Sequence, residues 1–194
     1  MVFLTSNSNE IIITSLVRYA EADCIARVLT QENGRLSVFC RGGFKPSKKR
    51  GSVLQAPARG RAMLKTKSTG MPILCELDIG SYTHGLGTNL RGFALASYAC
   101  ELIEVFVPEQ DPVPAVFELL DGFLKQAATA EISMAEIRAF EFNLLDLCGL
   151  LGESEALEAD SSKMAVIFVR HLKQHKQTPL KTLAFFKQIG TKSA

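Results

Sequence analysis

The chain has 194 residues, 47% of them hydrophobic and 22% charged, an ordinary globular composition with enough apolar residues for one large core or two modest ones. No apolar run approaches the roughly 20 residues of a membrane-spanning helix, and the first ten residues do not resemble a secretion leader, so we expect a cytoplasmic protein. The net charge of +2 hides three blocks: 12 basic against 6 acidic residues over 1–80, 3 against 14 over 81–160, and 7 against none over 161–194.

The first 80 residues are patterned as short strands. A β-branched run covers Ile11 to Val17, a second run covers Cys24 to Thr30, and a third covers Leu36 to Cys40. Asn33 and Gly34 between the last two predict a β-hairpin, because both turn residues must tolerate a positive φ.

A further strand is predicted over residues 71–79, where polar and apolar residues alternate. The pattern places Glu76 and Asp78 on one face and the apolar residues on the other: Ile73, Cys75, Leu77 and Ile79. Several short strands with glycine-rich turns favour a small barrel that closes its own edges.

The pattern changes to helices near Thr88. Apolar residues at helical spacing predict four helices, with these faces: Leu95, Tyr98, Leu102 and Val105; Val116, Leu120, Phe123 and Ala127; Ile137, Phe140, Leu144, Leu147 and Leu151; Met164, Phe168, His171 and His175. Ser133 and Glu136 form the capping box of the third. Thr178 and Pro179 predict a last short helix that runs towards Gly190. The fold class is therefore α+β, a β-barrel followed by a helical bundle.

Metal, disulfide and catalytic chemistry have little support in the sequence. The five cysteines are odd in number and form no C-x-x-C pair, so we expect neither a zinc ribbon nor a disulfide framework: Cys24, Cys40, Cys75, Cys100 and Cys148. His171 and His175 have the i, i+4 spacing of metal ligands, but no Cys or Asp lies near them in the sequence. Phosphate-binding and nucleophile motifs are absent, so we expect no enzyme and no cofactor.

The most informative stretch, residues 33–75, contains ten basic residues and no acidic one. Such a surface attracts phosphate backbones without reading base identity. Candidate DNA contacts are Arg35, Arg41, Phe44, Lys45, Lys48, Lys49, Arg50, Arg59, Arg61 and Lys65. Phe44, in a loop, is the favoured stacking partner for a base, whereas Phe39 is expected in the barrel core. The alternative is a solvated loop that serves solubility.

At this point the residues resemble a known family. The pieces are RYAEADCI at 18–25, LT at 29–30, GRL at 34–36, RGG at 41–43, GSVLQ at 51–55, ASYACELI at 96–103, FELL at 117–120, IRAFEFNLL at 137–145 and PLKTLAFFKQ at 179–188. In this order they are similar to RecO, a family of bacterial recombination mediators, and they cover most of the chain.

The resemblance implies an OB-fold over residues 1–80 and a helical domain over residues 81–194. It implies single-stranded DNA binding, strand annealing and help in loading recombinase onto gaps coated with single-stranded DNA-binding protein, and leaves double-stranded DNA open. The implied partners are RecR and the acidic, aromatic-ended tail of that coating protein. The expected tail-binding residues are Arg138, Phe142, Leu145, Arg170, Lys173 and Lys181; alternatively Arg138 simply pairs with Glu141 or Glu131.

Two departures from the family pattern stand out. Many relatives carry a four-cysteine zinc module at this place in the chain. The corresponding segment here, residues 151–163, is short and contains no Cys, so we expect no structural metal. The strand after Gln55 usually begins with Pro-Phe, whereas here it reads Ala-Pro-Ala-Arg-Gly-Arg. Two rival functions remain: a protein-interaction adaptor whose barrel contacts proteins, and an RNA-binding OB protein.

Overall fold

The computed structural model describes residues 5–46, 53–66, 70–80, 82–152, 155, 161–176 and 179–183. Within them lie five strands, β1 (Thr5–Arg18), β2 (Cys24–Thr30), β3 (Gly34–Cys40), β4 (Ala58–Thr66) and β5 (Ile73–Ile79). Five helices follow, α1 (Tyr82–Thr88), α2 (Leu90–Phe106), α3 (Pro114–Thr129), α4 (Met134–Leu147) and α5 (Ser161–His175). The predicted order, strands then helices, is confirmed; α1 was not predicted, and β1 begins six residues before the apolar run.

The strands close into a barrel in the order β1-β2-β3-β5-β4. All neighbours are antiparallel except β3 and β5, which share a single parallel pair, Phe39 and Ile73. The predicted hairpin joins β2 to β3, where Thr30 pairs with Gly34. Its connection is three residues long, and Gly34 has a positive φ whereas Asn33 does not, so the predicted Asn-Gly turn is correct only at Gly34. Gly34 has φ +65°, and a Cβ there would lie 2.3 Å from the carbonyl oxygen of Asp111. Glycine is therefore required both by the turn and by the approach of the α2–α3 connection.

The predicted apolar face of β5 is only partly correct. Leu74 and Leu77 are the buried residues, at 5% and 4% exposure. Pairing passes from Met63–Glu76 to Leu64–Leu74, so two residues of β4 oppose three of β5 around Cys75. This irregularity moves the residues before it to the opposite face. Ile73 and Cys75 therefore do not share the inward face with Leu77, and strict alternation failed because the sequence carries no signal for the shift.

The helices bury a second core, which two barrel residues also enter. Ile12 and Leu29 leave the barrel interior and pack in the same cluster as Leu102, Phe117 and Leu120. The predicted inward faces of α2 and α3 are confirmed, except that Val105 is only half-buried. On α4, Phe140 and Leu144 are buried, whereas Leu147 is 36% exposed.

Ser133 and Glu136 form the predicted capping box at the start of α4. Of the last predicted helix, residues 181–183 are helical and residues 179–180 are not, while residues 178 and 184–190 lie outside the described residues. No helix in the described ranges combines the length and the apolar character needed to cross a bilayer.

Candidate nucleic-acid interface

Two loops at one end of the barrel are bound to each other. We call residues 41–51, which follow β3, the basic loop. Residues 19–23, between β1 and β2, and residues 41–46 of the basic loop together form what we call the loop cluster. The amide of Gly42 donates to the carboxylate of Asp23 at 2.7 Å, and the amide of Phe44 donates to the carbonyl of Ala22 at 3.0 Å. Because these bonds tie the basic loop to a second loop, its first residues have a fixed position on the barrel.

An aromatic pair stands beside the loop cluster. Tyr19 is 67% exposed, and its ring meets that of Phe39 edge to face, with centroids 5.7 Å apart. Phe39 is only partly buried, because its neighbours Val38 and Cys40 take the inward positions of β3. The expectation of a core role for Phe39 is therefore wrong, and Tyr19 was missed. Its one sequence signal is a lone aromatic residue directly after a strand.

Phe44, the predicted stacking residue, is less available. Its ring packs against the barrel core, and the Arg18 guanidinium lies 4.5 Å from the ring centroid. A cation over the ring face occupies the position that a base would need. Tyr19 and Phe39 therefore present rings that are more accessible than that of Phe44.

Phe39 belongs to a row of outward side chains that crosses all five strands. The register aligns Val17 with Ile25, Ile25 with Phe39, Phe39 with Ile73, and Ile73 with Lys65. Val17 is 44% exposed, and the next three residues of the row are partly exposed: Ile25, Phe39 and Ile73. This outer row gives the barrel a continuous apolar strip with a cation at one end.

The predicted DNA contacts fall into three groups. Arg41, Lys45 and Lys65 are exposed, the first two in the loop cluster and the third at the end of the outer row. Lys48, Lys49 and Arg50 lie outside the described residues. Arg35, Arg59 and Arg61 are engaged with acidic residues or backbone carbonyls.

Arg35 and Arg59 connect the barrel to the helices. Arg35 Nη1 donates to the backbone carbonyl of Glu104 at 3.1 Å, and its side chain is 15% exposed. Arg59 lies 3.2 Å from the carboxylate of Asp121 on α3, a residue with a 4% exposed side chain. Arg27 makes a third such link, 2.8 Å from the Glu104 carboxylate. The sequence could not show these pairs, because the partners lie more than 60 positions away.

Arg61 is exposed but lies among carboxylates. Its Nε donates to Glu10 at 2.8 Å, and its register partner on β5 is Asp78. Glu10 also pairs with Arg59 at 3.0 Å. Charges of both signs on this side of the barrel reduce its attraction for phosphates, so we place Arg59 and Arg61 outside the proposed phosphate-binding surface. Arg35 also lies outside that surface, because its largely buried guanidinium is bound to the Glu104 carbonyl.

The predicted tail-binding residues on α4 are largely engaged. Arg138 pairs with Glu141, as the alternative interpretation held. Glu141 is 2% exposed and also accepts from the Tyr98 hydroxyl at 2.5 Å. Burial raises the pKa of Glu141, although Tyr98 and Arg138 oppose the shift, and burial with the nearby Glu141 charge raises that of Tyr98. Leu145 is fully buried, whereas Phe142 is partly exposed.

The C-terminal segment is held by a single carboxylate of α2. Glu101 accepts from Lys176 Nζ at 2.5 Å, from the amides of Lys181 and Thr182 at 2.9 and 3.1 Å, and from the Thr182 hydroxyl at 2.9 Å. Burial alone would raise the pKa of Glu101, but these hydrogen bonds lower it below its ordinary value. Tyr98 and Glu101 are three positions apart on α2; the first contacts Glu141, the partner of Arg138, and the second accepts from the Lys181 amide.

The remaining candidates lie on α5. Arg170 pairs with Glu155, while Lys173 is exposed. His171 is 8% exposed, and burial, with the charges of Arg170 and His175, lowers its pKa. His175 stacks obliquely on Phe106, with ring centroids 5.4 Å apart. Among the described residues, no three His, Cys, Asp or Glu side chains converge on a point that could hold a metal ion.

Comparison with known proteins gives a consistent result. Residues 6–81 match the family model "Recombination protein O N terminal", and residues 87–151 match "Recombination protein O C terminal". Three similar proteins, each named DNA repair protein RecO, come from Pelobacter propionicus (33% identity over 74% of this chain), Geobacter metallireducens (29% over 75%) and Anaeromyxobacter sp. strain K (32% over 75%). The matched region spans 58%, 59% and 58% of those proteins' own lengths.

Proposed function

The chain belongs to the RecO family, and we propose from this premise that it is a non-enzymatic mediator of DNA repair. In this proposal it binds single-stranded DNA, anneals complementary strands and helps to load recombinase onto gaps coated with single-stranded DNA-binding protein. The supporting observation is the contact between exposed Tyr19 and partly exposed Phe39, beside the cations of the loop cluster.

The position of this pair matches the binding mode of OB-type barrels. Such barrels bind oligonucleotides across strands 2 and 3 and through the loops between strands 1 and 2 and strands 4 and 5. Tyr19 lies in the β1–β2 loop and Phe39 on β3. Bases would stack on these rings while Arg41 and Lys45 neutralise phosphates. Because neither contact reads base identity, we expect binding that tolerates any sequence.

Annealing follows from the same charges. Two complementary strands repel each other through their phosphates, and cations of the basic loop reduce that repulsion when both strands lie on the barrel. Lys48, Lys49 and Arg50 enter the proposal through the sequence alone. No nucleotide hydrolysis is needed, because base pairing itself drives the product.

A tail-binding surface on the helices is the second part of the proposal. Arg138 reaches Tyr98 of α2 through Glu141, and the Lys181 amide binds Glu101 of the same helix. Phe142 is partly exposed on α4, and Arg170 and Lys173 add positive charge on α5. Cations beside a partly exposed aromatic ring suit an acidic peptide with an aromatic end. Leu145 is left out, because it is fully buried. RecR is proposed as a partner from family membership alone.

The test is annealing of two complementary oligonucleotides coated with the cognate single-stranded DNA-binding protein. We expect the wild-type chain to accelerate annealing and a variant with Lys45, Lys48, Lys49 and Arg50 changed to Glu to lose the acceleration. Arg91→Glu, at an exposed cation on α2, should keep it. If the wild-type chain neither accelerates annealing nor retains labelled single strands, a protein-interaction adaptor explains the chain better than a DNA mediator. If it binds RNA more tightly than DNA of equal length, an RNA-binding role is favoured.

A further inference from the structure

The barrel wall has an opening beside the proposed DNA surface. Because β3 and β5 share one residue pair, the first half of β3 has no strand neighbour on that side within the described part of the chain. A groove of about 430 Å³ lies there, between β3 and the adjoining ends of β4 and β5. Its polar lining includes Asn9, Asn33, Arg35, Ser37, Thr66 and Gln110. The volume is within the range of small-molecule sites.

The backbone edge of β3 faces this groove. In an antiparallel pair, the N–H and C=O groups of alternate residues point away from the partner strand. On β3 the Arg35 carbonyl accepts from the amide of Gln110 at 2.9 Å, and the Phe39 amide donates to the carbonyl of Pro72 at 2.8 Å. Ser37 lies between these two residues, so its N–H and C=O point into the groove.

The side chains offer both donors and acceptors. The Asn33 amide donates to Asn9 at 3.1 Å, and Asn9 is 8% exposed. Arg35 Nε is buried and has no hydrogen-bond partner among the residues that the structure describes. The Glu109 carboxylate lies 3.9 Å from the Arg35 guanidinium at the rim. A ligand in the groove would meet the Ser37 backbone groups at its surface, whereas Arg35 Nε lies beneath that surface.

We propose that this groove receives one unpaired nucleobase of the single-stranded DNA that lies across Tyr19 and Phe39. The inference rests on the function proposed above and deepens it. Ser37 and Phe39 are two positions apart on the same side of β3, so their Cα atoms are about 7 Å from each other. A DNA strand that stacks on the aromatic pair could turn one base into the groove over that distance. Leu36 and Leu64 provide apolar walls for the ring.

Two observations favour a base over a phosphate. The groove presents acceptors as well as donors, including the Glu109 carboxylate, which would repel a phosphate. The exposed cations Arg41 and Lys45 lie outside the groove, in the loop cluster. A base in a duplex already uses its hydrogen-bonding edge for pairing, so capture of a base would favour single strands over double strands.

The experiment uses the full chain and a set of ten-residue DNA oligonucleotides, each with one 2-aminopurine at a different position. Wild-type binding should change the fluorescence strongly at one position, where the base leaves its stacked neighbours. Ser37→Leu, which fills the groove, should remove that change and weaken single-strand binding about fivefold or more, the worth of one base contact. Ser97→Leu, in a different groove between β1 and α2, is the matched control and should behave as wild type.

The outcomes separate the two proposals. If Ser37→Leu keeps both affinity and the fluorescence change, no base enters this groove, although DNA binding by the barrel stands. If wild type itself does not bind the oligonucleotides, both the proposed function and this inference fail. Should Ser37→Leu prove misfolded by circular dichroism, Thr66→Leu fills the groove from the β4 side and must give the same loss.

Discussion

Arg59 of β4 and Asp121 of α3 form an ion pair across the junction between the barrel and the helices, with 3.2 Å between guanidinium and carboxylate. Lys125, one turn further along α3, lies 2.6 Å from the other carboxylate oxygen. Asp121 is 3% exposed, so both cations contact a carboxylate that is almost completely shielded from water.

The first prediction concerns this pair. Asp121→Asn should lower the free energy of unfolding by about 1–2 kcal/mol, because Arg59 loses its charged partner on α3 but keeps Glu10 at 3.0 Å. Urea unfolding followed by circular dichroism measures the change. Asp146→Asn, at an exposed position of α4, is the control and should change stability by less than about 0.5 kcal/mol. Equal stabilities of the two variants would show that the pair adds nothing.

The second prediction concerns the aromatic pair. Tyr19→Ala and Phe39→Ala should each weaken binding of single-stranded DNA by about 1–3 kcal/mol, the cost of losing one stacked base. Fluorescence anisotropy with a labelled oligonucleotide measures the affinity. Phe44→Leu should have a small effect on this affinity, because the Phe44 ring packs on the barrel and the Arg18 guanidinium lies over its face. If Phe44→Leu were the damaging change, the stacking site would lie at the basic loop instead.

The third prediction concerns salt. Binding should weaken steeply between 50 and 300 mM salt, and Lys45→Gln or Lys65→Gln should each reduce the slope of log affinity against log salt by about 0.7, the value for one phosphate contact on a single strand. Arg61→Gln should leave the slope unchanged, because Arg61 already pairs with Glu10. A wild-type slope near zero would argue against phosphate binding altogether.

The fourth prediction concerns pH. The pKa of Glu101 is lower in the folded chain than in an unfolded one, so its contribution is complete above about pH 4.3, the unfolded value, and is lost as pH falls through the folded value. Glu101→Gln should therefore release residues 181–183 at pH 7, as acid does in wild type. Amide NMR signals of Lys181 and Thr182 report the release. Glu118→Gln, on the exposed side of α3, should not move them.

The fifth prediction concerns the proposed tail site. Arg138→Gln should weaken binding of an acidic, aromatic-ended peptide, as measured by fluorescence anisotropy, and leave DNA binding unchanged. Glu141→Gln keeps the hydrogen-bonding shape beside Tyr98 but removes the charge that holds Arg138, so it should tighten peptide binding or leave it unaltered. If both variants weaken the peptide equally, Arg138 only supports the local fold and does not contact the peptide.

Sequence reasoning succeeded where the cause of a structure is local. The turn at Gly34 and the capping box of Ser133 and Glu136 depend on residues three or four positions apart, and both were predicted. It failed where the cause lies far away in the chain. Leu74 faces inward because of a register irregularity with β4, and Arg59 is held by a carboxylate 62 positions later.

The candidate site shows the same division. The count of ten cations over residues 33–75 placed positive charge on the barrel, but it could not separate cations that face solvent from those that bind the helices. The choice between Phe39 and Phe44 also failed, since it depended on which way β3 faces and on a cation from β1.

The links from Arg27, Arg35 and Arg59 to the helices have a practical consequence for anyone who divides this protein. A fragment ending near residue 80 would lose Glu104 and Asp121 and would uncover three guanidinium groups, together with Ile12 and Leu29. Such a fragment would attract nucleic acid at places that the intact chain hides, so its affinity would overstate that of the whole. The acidic helices thus set which of the barrel's positive charges remain available to other molecules.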